Sequence, residues 1–493
     1  MFNRSAGILL PVSALPSKYG IGTFGKEAYN FIDFLHKSGQ QFWQILPISP
    51  TSYGDSPYQS FSIYAGSPYY INLEMLIDNG LITEMDCNNM DFGYDDDIDY
   101  EKQFNNRFQI LKVAYNNSNR NFDTEIETFK NENKNWIMDY ALYMALKYKN
   151  NCLSWLKWDE PIRMRQKTAV ENSKMELRDE MEFWIFIQYL FFKQYFNLKS
   201  YANSKGISII GDIPIYTAED SADVWSNSKI FMLDENKIPV LVAGVPPDDF
   251  SKDGQLWGNP VYDWKYLKDT NYEWWIERIK YSNKMYDVVR IDHFRGFDEF
   301  WAVPYGSLNA KSGTWIKANG RELFETVKSK LGNIKIIAED LGIITDSVTN
   351  LRKYTGYPGM KVLQFAFNGN PKNPYLPVNY EENCAAYTGT HDNDTLKGWF
   401  EKLSDNEKHY VAHSLNINIE ETNNFYYSII KALYNSKADI CIVPLQDFMC
   451  LGSEGRINTP STVEDNWRFR VNKNMLTDDL AEKIRNMVME SNR

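Results

Sequence analysis

Val288-Val289-Arg290-Ile291-Asp292-His293-Phe294-Arg295-Gly296 decides how the rest of the chain is read. An apolar, β-branched run ends here in a charged cluster that closes on glycine. That is the pattern of a buried strand opening at its far end into a polar site. Arg290 and Asp292 are two apart, so on a strand their side chains leave from one face. An arginine beside a carboxylate favours its charged form, and a charged aspartate at the mouth of an apolar barrel suits a nucleophile. A structural Arg–Asp pair at a strand end fits the same residues.

Seven more short apolar runs end in Gly, Pro or a charged residue: 7–12, 42–47, 207–214, 334–342, 360–365, 384–388 and 439–445. Amphipathic stretches lie between several of them. Residues 26–37 carry Ala28, Phe31, Ile32 and Leu35 on one face, with Gly39 as the stop. Thr345 or Asp346 caps a helix running to Tyr354, with Gly356 past its end. Eight buried strands alternating with helices predict an α/β (β/α)₈ TIM barrel, with an open doubly wound sheet as the alternative. The spacing puts large insertions after strands 2, 3 and 8: a helical subdomain at about 72–204, a loop-rich one at about 216–286, and the loop Gly452–Pro460. The helical one is strongest at 136–149 and 175–201. All 493 residues then form one catalytic barrel. Insertions leaving the C-terminal ends of strands build walls over the site at that end.

Composition narrows the function. Lys+Arg number 53 against 65 Asp+Glu, a formal net charge of −12, which argues against a nucleic-acid partner and suits a neutral substrate. Five cysteines with no CxxC spacing point to reduced thiols in the cytoplasm. No signal peptide is read at the start, and no apolar stretch is long enough to span a membrane. Aromatics make up 15% of residues, including 14 Trp and 32 Tyr, enough to supply flat platforms for sugar rings.

Gly20-Ile21-Gly22-Thr23-Phe24-Gly25 matches G-x-G-x-x-G but lacks the strand-to-helix context of a dinucleotide site. His409 and His413 stand at i, i+4 without an HExxH glutamate, so a solvated helix face is the expected reading over zinc. Asp292, Glu339 and Asp392 are the stronger signal, three acids converging from the ends of three strands. Retaining glycosidases need two carboxyls about 5–5.5 Å apart, one a nucleophile and one an acid/base. Glu339 follows an apolar run, and burial raises a carboxyl towards a useful general acid. A divalent-metal site is the rival arrangement, opposed by Arg290, whose charge would occupy the metal's place.

These blocks resemble the amylomaltase (4-α-glucanotransferase, disproportionating enzyme) family of the α-amylase clan. The likeness rests on 289–296, on Ala338-Glu339-Asp340-Leu341-Gly342 and on Thr390-His391-Asp392-Asn393-Asp394-Thr395. Gly54-Asp55-Ser56-Pro57-Tyr58-Gln59-Ser60, Gly211-Asp212-Ile213-Pro214-Ile215 and Gly254-Gln255-Leu256-Trp257-Gly258-Asn259-Pro260 extend it. The resemblance implies Asp292 as nucleophile, Glu339 as acid/base, and Asp392 gripping hydroxyls of the distorted donor sugar. It implies a polar shell of Asp212, Arg290, His293 and His391, with Tyr58 stacked on the sugar. Gln255, Trp257 and Asn458 would line the glucan path, and Tyr53 and Tyr100 match positions of a remote second glucan site. It also implies the absence of a C-terminal β-domain.

The expected activity is therefore retaining double-displacement transfer of α-1,4-glucan segments between maltooligosaccharides. Glucans serve as donor, and glucose or maltooligosaccharides as acceptor. No cofactor, metal, nucleic acid or membrane is expected to take part. Loops 244–257 and 452–460 are expected to keep water from the intermediate. An α-glucan hydrolase with the same triad and a catalytically silent glycan-binding barrel are the alternatives.

Overall fold

The structure, a computed structural model, describes residues 2–493 apart from 52–53, 119–120, 248–250, 420–424 and 463. Eight parallel strands close into a barrel: β1 Ser5–Leu9, β2 Phe42–Gln44, β3 Ser208–Pro214, β4 Val288–Asp292, β5 Ile336–Ala338, β6 Gly359–Val362, β7 Cys384–Tyr387 and β8 Ile440–Pro444. One strand falls within or beside each apolar run read from the sequence. β8 returns to pair with β1, Leu9 opposite Pro444, which rules out the open sheet.

Closure explains why the runs are apolar on both faces. Leu9, Ile210, Val288, Ile337, Met360 and Ile442 fill the interior, while Ile8, Ile209, Val289, Ile336 and Val443 pack outwards against helices. The predicted helix Lys26–Lys37 buries Ala28, Phe31, Ile32 and Leu35, and Gly39 follows it at φ 71°. In the helix Asp346–Thr355 the Thr345 hydroxyl accepts from Val348 N, and Gly356 closes the C-terminus at φ 76°. Gly22 of the G-x-G-x-x-G match lies against the chain, where a Cβ would come within 1.8 Å of the Val12 carbonyl oxygen. That glycine has a packing reason of its own.

Between β2 and β3 the chain is mostly helical, and Arg178–Ser204 is its longest helix. The expected helix at 175–201 starts later than read. Leu177 leaves helical geometry at φ −102°, ψ 20° and separates Arg178–Ser204 from the helix Lys167–Glu176. The acidic run 95–97 is tied down at one end, where Asp97 pairs with Arg468.

A four-stranded antiparallel sheet stands beside the barrel, ordered Gln255–Pro260, Leu241–Val245, Glu299–Pro304, Thr314–Lys317. Its last two strands come from the segment after β4, so that connection is elaborated as well as those after strands 2, 3 and 8. The β6-to-β7 connection holds two 3₁₀ turns, Leu363–Phe365 and Pro377–Asn379, in place of an α-helix. After β8 come the loop, short helical turns and the helix Asp478–Glu490, with no further sheet among the described residues. No helix among them is long and apolar enough to cross a membrane.

Candidate active site

The strand register builds the site. Asp212 on β3 pairs with Arg290 on β4, and two residues on Pro214 pairs with Asp292. Arg290 and Asp292 therefore point the same way into the barrel mouth, as their spacing predicts. Arg290 Nη1 donates to both oxygens of Asp212, at 2.7 and 2.6 Å, and to Asp292 Oδ1 at 3.0 Å. Its Nε donates to Met360 Sδ at 3.4 Å. Burial alone would disfavour the guanidinium charge, but Asp212 and then Asp292 overcome it and hold Arg290 above its ordinary range. A cation fixed there leaves no place for a metal between these acids. Among the described residues, no cluster of three His, Cys, Asp or Glu side chains is arranged to hold a metal ion.

Glu339 directly follows β5. Its Oε2 accepts from His293 N at 2.6 Å and its Oε1 from Leu341 N at 2.9 Å. Burial, then the charge of Asp292, pushes its carboxyl up to about 8, and Arg290 and these two amides only partly oppose the rise. Glu339 is 9% exposed, whereas the Asp292 and Asp392 side chains keep 31% and 45%, so the two aspartates stay open to a ligand. His293 adopts the left-handed conformation at φ 53°, which turns the chain sharply after Asp292. Burial pushes its imidazole down to about 4, so the ring is neutral at pH 7.

Asp392 comes from the turn after β7. Its Oδ1 accepts from Asn458 Nδ2 at 2.6 Å, and its Oδ2 lies 3.4 Å from His391 Nε2. Tyr58 stacks on His391 with ring centres 5.1 Å apart and donates to Asp212 Oδ2 at 2.9 Å. The ring edge-on to His293, at 4.8 Å, is Trp257, whose Nε1 donates to Gln255 Oε1 at 3.2 Å. Asp212, Arg290, Asp292, His293 and Glu339 thus form one bonded group. Tyr58 links it to His391, Asp392 and Asn458, and Trp257 carries Gln255 beside it.

The remote pair is a separate matter. Tyr53 lies outside the described residues. Tyr100 donates its hydroxyl to the Trp467 carbonyl at 2.9 Å and, with Asp55 and Tyr69, lines a cavity of about 20 Å³, room for about one water. His409 and His413 lie on the helix Asp405–Leu415, and His409 Nδ1 meets the Asp405 carbonyl oxygen at 2.6 Å.

Two residues of this neighbourhood escape a reading by spacing. Arg456 donates to the Asp392 carbonyl at 2.8 Å and to the Asn458 carbonyl at 2.8 Å, fastening the loop after β8 to the turn after β7. Trp467 sets its ring 5.9 Å from both Tyr58 and His391. The alternation of aromatics and cations at Trp467-Arg468-Phe469-Arg470 is the one sequence signal that marks it.

A profile of the 4-alpha-glucanotransferase family matches residues 10–477. A 4-alpha-glucanotransferase from Clostridium butyricum is 51% identical over 475 residues, which are 96% of this chain and 97% of that one. One from Thermus thermophilus is 40% identical over 500 residues, 99% of each chain. The structure of amylomaltase from Streptococcus agalactiae in complex with acarbose is similar at a TM-score of 0.96 and 41% identity, covering 99% of both chains. Amylomaltase from Corynebacterium glutamicum, 17% identical, shares the fold at a TM-score of 0.79 over 99% of this chain and 75% of that one. The barrel, its bonded acids and these likenesses agree: this chain belongs to the 4-alpha-glucanotransferase family.

Proposed function

We infer that this enzyme transfers α-1,4-glucan segments between maltooligosaccharides through a covalent glucosyl intermediate on Asp292. The observation that carries the mechanism is the different setting of two carboxyls at adjoining strand ends. Asp292 is held as an acceptor by Arg290, while Glu339 is pushed to about 8 and keeps its proton at pH 7. Glu339 protonates the glycosidic oxygen as it leaves, and Asp292 attacks the anomeric carbon. Esterified Asp292 no longer carries the charge that raises Glu339. The amides of His293 and Leu341 then favour the carboxylate, and Glu339 becomes the base for the acceptor's 4-hydroxyl.

Asp392, fixed by Asn458, grips hydroxyls of the sugar at the cleavage point, and Tyr58 with His391 forms one wall of that subsite. Arg290 lies beneath the carboxylates and orders Asp212 and Asp292. Asp212 and neutral His293 complete the polar shell, and Trp257 and Gln255 flank the glucan path. Maltooligosaccharides and α-1,4-glucans are the donors, and glucose or shorter oligosaccharides the acceptors. We assign Tyr53 and Tyr100 to a second glucan site. The five unpaired cysteines fit a reducing compartment, and we place the enzyme in the cytoplasm on that ground.

Incubation with pure maltotriose tests the reading. Transfer gives glucose and a ladder of longer chains with little gain in total reducing ends. A hydrolase raises reducing ends in step with glucose, and a silent binding barrel leaves maltotriose intact. Either of those two results overturns it.

A further inference from the structure

Arg295 lies three residues past Asp292, in the turn Phe294–Phe297, and is 5% exposed. Its guanidinium does not reach the carboxylates described above. Nη1 donates to the carbonyl of Ile343, and Nη2 donates to Glu299 Oε1 at 2.9 Å. The flat of the group lies 3.9 Å from the ring centre of Trp315. Glu299 is itself fixed by Lys317 at 3.0 Å, and Trp315 packs on Trp301, its cross-strand partner, at 5.2 Å. The hairpin after β4 thus offers a carboxylate and an aromatic face that set one guanidinium in one pose.

The consequence falls on the turn after β5. Ile343 is two residues from Leu341, whose N–H donates to Glu339 Oε1. Asp340 is anchored by Met360 N at 2.7 Å, and Thr345 caps the next helix. Between them runs an exposed turn with Gly342 at φ 83°. Among the described residues, the hydrogen bond from Arg295 to Ile343 is the one that ties this turn to the β4 side of the site. We propose that Arg295 is a positioning residue for the acid/base, clamping residues 341–344 so that the Leu341 amide stays on Glu339.

The proposal rests on Glu339 being the acid/base, and its sign is fixed. The Leu341 N–H favours the carboxylate, so a loosened turn lets the Glu339 carboxyl hold its proton to higher pH. The other groups facing Glu339 are Asp292 and Arg290 from β4 and Tyr375 from the segment after β6. Changes at position 295 alter none of them.

The test uses the full chain, ¹³C-labelled at glutamate carboxyls, with the Glu339 signal assigned by its loss in Glu339→Gln and titrated by NMR. Arg295→Met should move that titration up by about one pH unit and shift the basic limb of kcat/KM with it. kcat should fall roughly tenfold, with little change in KM. Arg295→Lys keeps the charge but loses the fork and the flat face, and should give an intermediate shift. Trp315→Ala retains Arg295, removes its backing and should shift the titration in the same direction, which covers a poorly folding Arg295→Met. A titration unmoved in all three, with only a lower Tm, overturns the clamp. So does a full return to the wild-type titration in Arg295→Lys, since that would make the effect one of charge. Full activity in Glu339→Gln would sink the acid/base reading instead, and the titration would remain readable.

Discussion

The backbone N–H of His293 donates to Glu339 Oε2 at 2.6 Å, so the residue following Asp292 holds the carboxyl of Glu339. The two strand ends are stitched together around that contact. Glu339 N donates to the Ile291 carbonyl at 3.0 Å, and Phe294 N to the Glu339 carbonyl at 2.9 Å. The backbones that carry the two acids are therefore registered by main-chain bonds between the ends of β4 and β5. Side-chain substitutions can then change charge without moving the partner.

Asp292→Asn should abolish transfer by on the order of 10³-fold or more and at the same time lower the titration of Glu339 below about 8. Burial stays and the negative neighbour goes. Carboxyl NMR reads the second effect without turnover. An unmoved Glu339 titration would show that Asp292 contributes nothing to its elevation.

Folding lifts the Glu339 carboxyl from its ordinary 4.5 to about 8. The folded state thus binds that proton more tightly than the unfolded chain, and stability is lost as pH rises through this window. Glu339→Gln carries no such loss. It should melt higher than wild type at pH 8.5, on the order of 2 °C, with the gap closing towards pH 5. In the wild type, kcat/KM should fall as pH passes about 8 and the acid loses its proton.

Asn458→Asp sets a carboxylate where an amide N–H now meets Asp392 Oδ1 at 2.6 Å. Loss of a charge-assisted bond and gain of a like charge should cost about 2–3 kcal/mol, or roughly 30–160-fold in kcat/KM. Asn458→Ala should lose less. Steady-state transfer from maltotriose ranks the two, and the opposite order would contradict the contact.

Tyr58→Phe keeps the ring on His391 and removes the hydroxyl, with its bond to Asp212 and its longer 3.5 Å contact to His391 Nδ1. A net cost of about 0.5–1.5 kcal/mol is expected, seen as a roughly 2–10-fold rise in KM. Tyr58→Ala also removes the wall and should cost more. Equal losses in the two variants would mean that the ring does not contact sugar.

The barrel was legible because a strand buried on both faces has no polar alternation to blur it. Each run such as Val288–Asp292 breaks at the point where the barrel opens. The acids were legible for the same reason, since Asp212, Asp292 and Glu339 interrupt or end such runs. The hairpin Glu299–Lys317 was not read. It follows the charged cluster closely and pairs with Leu241–Val245, which lies before β4 in the chain. Arg456 and Trp467 were also missed, because they act on Asp392, Tyr58 and His391 across a long sequence separation that carries no local periodicity. The interruption at Leu177 sits in a stretch with neither Gly nor Pro to announce it.

The pairing of β1 with β8 has a consequence for biosynthesis. Ser5–Leu9 leaves the ribosome long before its partner Ile440–Pro444 is made. At about 5–20 residues per second, one edge of the amino-terminal strand waits roughly 20–90 s for its neighbour. Through that interval a nascent chain presents an open β-edge, the kind of surface that invites pairing with other chains. Ribosome-bound intermediates stalled before residue 440 should therefore depend more on chaperones than chains long enough to include β8, in which this edge is paired.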